Sequence, residues 1–373
     1  RRRAAHAVAG GMSLRPADAR VLDAWTARLH ETGALARDAA LPVHPVVAPH
    51  PLCLGEDLAA YVDGDAVVGL AARRAGLETL PASVVELADL EVLDVDGNPL
   101  VRLPDGLDRL RRLRALSLYG SALSSLPSAI GALTDLERLA LGRAAFTSVP
   151  NGIWELAALR TLVVAETGLR SVPERIRALT HLETLDLGHN ALDALPEALG
   201  ALSSLTAFLY LSHNRLTEVP VSLTRLRALR YLNVTHNRLT SLPDAIGEMH
   251  GLVELRLYGN QIRTLPDGIG GLAALQELHL SDNGMTELPA AIGRLRALRH
   301  LDLRNNALAS LPIEMRELAD LAFLDLRANR LTAVPAAVEA LPRLRKLDLR
   351  WNKLDPPRAW REEMARRGCT VYV

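Results

Sequence analysis

The chain has 373 residues, with 43 basic side chains matched by 43 acidic ones, 49% apolar residues and only 3% aromatic ones. That balance describes an ordinary globular chain and excludes a nucleic-acid binder working through net charge. No run of 18 apolar residues occurs, and Arg1-Arg2-Arg3 leads into no signal-peptide core, so no membrane span or secretion is expected. The two cysteines, Cys53 and Cys369, lie near opposite ends, which excludes a disulfide-stapled scaffold and fits the reducing cytoplasm. Lysine occurs only at Lys346 and Lys353, and arginine in its place, beside abundant Ala, Gly and Pro, points to GC-rich codons and a bacterial source.

Residues 1–66 read as an N-terminal cap. From Pro16 to about Thr32 the spacing of Val21, Leu22, Trp25 and Leu29 predicts an amphipathic helix, with Gly33 as its stop. Such a helix would cover the open apolar end of whatever follows. The segment from Leu41 to Pro51 carries four prolines and is expected to be extended. His44, His50 and Cys53 are close in sequence but match no metal-ligand spacing, and a loop is expected there.

A repeat occupies residues 67–354. Pro81, Pro104, Pro127, Pro150, Pro173 and Pro196 are 23 residues apart, Pro220 follows after 24, and Pro243, Pro266, Pro289, Pro312 and Pro335 return to 23. Around each proline the apolar residues keep one register, as in Leu182, Leu185, Leu187, Asn190, Leu192, Leu195, Pro196, Leu199 and Leu202. Thirteen copies start at Val67, Leu90, Leu113, Leu136, Leu159, Leu182, Leu205, Leu229, Leu252, Leu275, Leu298, Leu321 and Leu344.

The alternating x-Leu-x-Leu-x half asks for a short strand with leucines inward. One such strand cannot bury its own apolar face, but stacked parallel copies about 4.8 Å apart can. The Leu-Pro-x-x-Ile-x-x-Leu half forms the return leg, too short for a long helix, and is expected as 3₁₀ or single-turn pieces.

The pattern resembles the leucine-rich repeat family, in the 23-residue form of intracellular Ras-group and bacterial proteins. The resemblance implies an α/β solenoid: a right-handed horseshoe with a parallel β-sheet on its concave face, short helical turns on its convex face and a cap at each end.

The ninth position of the repeat turns the chain inward, and an Asn amide there can satisfy backbone groups of its own and the neighbouring coil. Asn98, Asn190, Asn214, Asn237, Asn260, Asn283, Asn306, Asn329 and Asn352 fill it, whereas Ser121, Ala144 and Thr167 interrupt it. These three coils are expected to be the least regular. The extra residue within Leu205-Thr206-Ala207-Phe208-Leu209-Tyr210-Leu211 is expected as a bulge entering the strand and re-aiming Phe208 or Ala207. Residues 355–373 form the second cap: Pro356 and Pro357 start a helix containing Trp360 and Met364, and residues 369–373 add a last strand with Cys369 buried.

Function in such a solenoid is expected on the concave sheet. Seven of the 13 aromatic residues fall on its outward positions, at Tyr119, Phe208, Tyr210, Tyr231, Tyr258, Phe323 and Trp351, as do five of the 11 histidines, at His189, His213, His236, His279 and His300. Strand propensity accounts for part of this excess but not for its concentration in the middle coils. Phe208, Tyr210, His213, Tyr231, Asn233, His236, Arg256, Tyr258, His279, His300, Arg304 and Arg327 are therefore the candidate contact residues for a protein or peptide partner, mixing flat apolar surface with hydrogen-bonding tips.

Asp302, Asp325 and Asp348 stand beside Arg304, Arg327 and Arg350 as a charge ladder, read as self-neutralising or as a clamp for a charged peptide. His189, His213 and His236 are expected to stack about 5 Å apart. The competing reading is a peptide-modifying enzyme or metal-binding protein built on these His and Tyr residues. No catalytic motif supports it, no carboxylate stands beside the histidine column, and no cofactor or metal is expected.

Overall fold

A computed structural model describes residues 13–46, 55–146 and 148–373. The Arg1-Arg2-Arg3 start and the loop residues His50 and Cys53 lie outside the described residues. The chain divides into two compact units, Arg1–Arg170 with Ala178–Leu182, and Ser171–Arg177 with Glu183–Val373.

The first unit opens with helix α1 (Pro16–Thr32), which places Pro at its first turn and ends on Gly33, whose φ of 75° supplies the left-handed cap. Its buried stripe is Val21, Leu22, Trp25 and Leu29, together with Asp18. The Asp18 carboxylate accepts the Val67 backbone N–H at 2.8 Å, and the Arg15 N–H donates to the Asp65 carbonyl at 3.0 Å, tying the helix to the start of the first coil.

Strands β1 (Val43–Pro45), β2 (Leu58–Asp63) and β3 (Ala66–Ala72) follow, β1 parallel and β2 antiparallel to its neighbour in each case. The antiparallel hairpin was not visible in the sequence pattern, which gave residues 1–66 a helix and a loop. Its first strand, rich in alanine, is a weak strand former, and its turn is the short Asp63-Gly64-Asp65.

From β3 onward the repeat takes over through β4 (Val92–Asp94), β5 (Ala115–Ser117), β6 (Arg138–Ala140) and β7 (Thr161–Val163), all parallel. Asn98 accepts the N–H groups of Ala75 and Leu77 and donates to the carbonyls of Ala72 and Val95. Where the asparagine is missing this bonding thins. The Ser121 hydroxyl is buried without a partner, Ala144 is buried with nothing to offer, and the Thr167 hydroxyl donates to the Val164 carbonyl. The strand register nevertheless continues, held by the buried leucines and by backbone hydrogen bonds between coils, such as Leu118 N–H to the Ala140 carbonyl and Leu141 N–H to the Val163 carbonyl.

The second unit carries β8 (Thr184–Asp186), β9 (Phe208–Tyr210), β10 (Tyr231–Asn233), β11 (Glu254–Arg256), β12 (Glu277–His279), β13 (His300–Asp302), β14 (Phe323–Asp325) and β15 (Lys346–Asp348), paired parallel in chain order. The extra residue does not enter the strand as expected. Phe208 pairs in register with Thr184 and Tyr231, so the insertion is taken up at Thr206–Ala207, where the Ala207 N–H donates to the Glu183 carbonyl at 3.0 Å.

The return legs are 3₁₀ helices that begin after the repeat proline, such as Asp244–Glu248 with Ile246 fully buried, except for the α-helical turn α2 (Ala336–Glu339). Burying each leucine or isoleucine of a coil stabilises it by about 1.5–3 kcal/mol. Neighbouring return legs touch backbone to backbone: a Cβ at Gly268 would stand 1.7 Å from the Asp244 carbonyl oxygen. Helix α3 (Arg358–Arg366) starts behind Pro357 and buries Met364, and β16 (Thr370–Tyr372) adds to β15. Cys369 is free and buried.

Candidate functional site

The parallel register of the second unit sets its outward side chains in columns. One runs through Thr184, Phe208, Tyr231, Glu254, Glu277, His300, Phe323 and Lys346, and its neighbour through Asp186, Tyr210, Asn233, Arg256, His279, Asp302, Asp325 and Asp348. The leucines between the columns are buried, so these positions have no other face to turn to.

The aromatic residues converge. Phe208 lies 5.9 Å from Tyr210 and 5.5 Å from Tyr231, ring centroid to ring centroid, and Tyr210 lies 5.1 Å from Tyr231. The Arg256 guanidinium sits over the Tyr231 ring at 5.6 Å and ion-pairs with Glu254. Burial, followed by the Asp186 charge, raises the Tyr210 phenol above its ordinary value, and burial does the same to Tyr231. Both therefore stay neutral and able to donate. Phe208 remains 44% exposed, an apolar ring presented to solvent beside two phenols.

Asn233 does not serve the surface as expected. It is buried, its carbonyl oxygen accepts the N–H and hydroxyl of Thr235, and its amide donates to the Tyr231 hydroxyl at 3.4 Å.

The histidine column stacks more closely than simple strand spacing implies. His189 and His213 are 4.1 Å apart, His213 and His236 4.2 Å, and Tyr258 meets His236 edge-on at 5.1 Å. All three histidines have positive φ, between 51° and 53°, because they precede the inward turn at the ladder asparagine. Gly259 takes this position in the next coil, so the column ends there. Burial, then the neighbouring histidines, lowers the basicity of His213.

His279 stands apart from that column. Its Nε2 is 3.2 Å from a Glu277 oxygen and 3.9 Å from a Glu254 oxygen, and its ring lies 5.3 Å from His300, which in turn meets Phe323 at 5.7 Å. Burial lowers its basicity in spite of the Glu277 hydrogen bond. Glu254 and Glu277 were not singled out in the sequence, although placing the repeat residues in columns puts them one above the other.

Arg304 and Arg327 belong to a further group. Arg327 makes paired bonds of 2.9 and 2.6 Å to Asp325 and reaches the buried Asp348 at 3.5 Å, while Arg304 lies 3.4 Å from Asp302. Trp351, 72% exposed, lies under the guanidinium groups of Arg327 and Arg350. The charges neutralise one another along the row, in keeping with the first of the two readings above.

Residues 148–256 match the family model described as a leucine-rich repeat region, and residues 250–308, 273–331 and 296–354 match that described as a leucine rich repeat. A leucine-rich repeat protein of Leptospira interrogans is 31% identical, with 80% of this chain and 82% of that one covered and a TM-score of 0.69. A structure described as a TDR receptor is 25% identical at a TM-score of 0.69, over 77% of this chain and 52% of the receptor, so the present chain spans about half of that protein. An internalin of Listeria monocytogenes shares the fold, with 20% identity, 83% and 90% coverage and a TM-score of 0.70. No curated protein matches. The chain belongs to the leucine-rich repeat family. Repeats of this kind commonly serve as extended scaffolds for binding proteins and peptides. Among the described residues no helix is long and apolar enough to cross a membrane.

Proposed function

We propose that the chain is a recognition scaffold that binds a protein or peptide along the outward face of β9 to β14. The observation that carries this reading is the exposed Phe208 ring packed against Tyr210 and Tyr231, with Arg256 over the latter. Aromatic anchors with polar tips contribute most of the affinity at many interfaces, and a preformed surface loses little entropy on binding. His213, His236 and Tyr258 extend the surface on one side, His279 and His300 on another, and Arg304 and Arg327 give it a polar end. The setting we infer is the bacterial cytoplasm, supported by the free, buried Cys369 and the bacterial relative.

The test is a pull-down from the source cytosol with the parent chain and a Tyr210/Tyr231/Tyr258 triple alanine variant, both checked for folding by circular dichroism. A partner retained by the parent and lost by the variant supports the reading. Equal capture by both moves the contact surface elsewhere.

A further inference from the structure

Between the aromatic group and the Asp and Arg rows, three side chains bring ligating atoms close together. Glu254 comes from β11, and Glu277 and His279 from β12. One oxygen from each carboxylate and one imidazole nitrogen all lie within 4.8 Å of one another. The separations from His279 Nε2, 3.2 Å to Glu277 and 3.9 Å to Glu254, are informative. Two ligands held about 2.0–2.2 Å from one ion at near-tetrahedral angles stand about 3.3–3.6 Å apart. The observed pair brackets that distance without any backbone movement.

We propose that Glu254, Glu277 and His279 bind a single divalent first-row transition ion, zinc in the first instance. The mixed donor set selects the class: an imidazole nitrogen with two carboxylates suits zinc and its neighbours, whereas magnesium and calcium favour oxygen-only shells. His279 is preorganised, its side chain 16% exposed and its ring against His300. His300 is also the register partner of Glu277. The remaining coordination position opens to the face of the sheet, where water or a donor from another molecule can fill it.

The stacked histidine column does not compete for this role. Its rings lie nearly parallel, 16° and 24° apart, so their nitrogens do not converge. Among the described residues no other group of three His, Cys, Asp or Glu side chains meets the 4.8 Å spacing.

Arg256 opposes the ion, since its Nε donates to the same Glu254 oxygen, and so does the hydrogen bond between His279 Nε2 and Glu277. Binding the ion through the Glu254 oxygen competes with the guanidinium, so Arg256 lowers the affinity. The inference is independent of partner recognition: either can fail while the other stands.

The experiment uses the full chain, free of any tag and stripped with chelator, titrated with Co²⁺ and followed by visible absorption, with Zn²⁺ uptake measured by equilibrium dialysis. One ion per chain is expected, with the intense visible bands of low-coordinate cobalt, and a thousandfold excess of Mg²⁺ should not displace it. Glu277→Gln and His279→Asn should each weaken binding at least tenfold, His213→Asn should leave it unchanged, and Arg256→Gln should tighten it severalfold. Glu277→Gln is nearly isosteric at a half-exposed position, and circular dichroism checks that each variant is folded. Absence of saturable uptake, uptake undiminished in both Glu277→Gln and His279→Asn, or uptake lost in His213→Asn overturns the proposal.

Discussion

The imidazole of His213 stacks on that of His236 with ring centroids 4.2 Å apart and planes 24° from parallel. Burial and the neighbouring rings oppose a proton on His213, so its folded-state pKa lies below the ordinary value of about 6.5. The unfolded chain takes up that proton first as pH falls, and the native state then binds fewer protons. The contribution to stability is therefore complete above about pH 6.5 and is lost as pH falls from there through the lower folded-state value. His213→Asn, which tolerates the positive φ, should flatten this dependence. Urea unfolding at pH 7.5 and 5.5 checks it, and an equal acid loss in parent and variant would contradict the assignment.

Asn260 shows what the ladder is worth. Its side chain accepts the Leu239 N–H at 3.0 Å and donates to the Val234 and Leu257 carbonyls at 2.9 and 2.8 Å. Asn260→Ala leaves these buried groups unpaired, at a cost of roughly 1–3 kcal/mol each. Chemical denaturation should show a loss of at least about 2 kcal/mol, and a smaller one would mean that water replaces the amide.

Deleting Ala207 should do little harm. The strand it precedes is already in register with both neighbours, so removal restores the 23-residue coil without moving Phe208 or Tyr210. Thermal unfolding within a few degrees of the parent is expected. A collapse in stability would show that the insertion relieves a strain at that coil.

Gly268→Ala addresses the return legs. The added methyl would meet the Asp244 carbonyl oxygen at 1.7 Å, and backbone cannot yield as a side-chain tip can. At Gly55 a Cβ would meet nothing within 4 Å. Thermal melts should drop clearly for the first substitution and scarcely for the second. Similar melts would show that neighbouring coils slide apart at little cost.

Much of the fold was legible because the repeat states its own register. Helix α1 was marked at both ends by Pro16 and Gly33, and Cys369 by its apolar surroundings in a short terminal strand. The β2 and β3 hairpin was not, since Leu58 to Asp63 is alanine-rich and lies outside the repeat. Periodicity placed the extra residue between Leu205 and Leu209 but not whether the strand would bulge; the chain takes it up at Thr206–Ala207, before the first paired residue. Asn233 looked available since its column faces outward, yet a short amide bonds its own turn before it reaches solvent. The meeting of Glu254, Glu277 and His279 depends on side-chain reach between columns, which register alone does not give.

From Asn214 to Asn352 the amide of each ladder asparagine extends one coil back and no further, as Asn283 does toward Leu257 and Ile262. If residues 252–274 were excised, Asn283 would find in Val234 and Leu239 the same groups in the same places. A residue more or fewer between strand and ladder asparagine would displace those groups, whereas the approach to β9 at Thr206–Ala207 takes up one extra residue and Asn237 still bonds Leu211 and Leu216. Such a chain lengthens or shortens most readily by whole coils of about 23 residues, each bringing a complete set of outward side chains to the sheet.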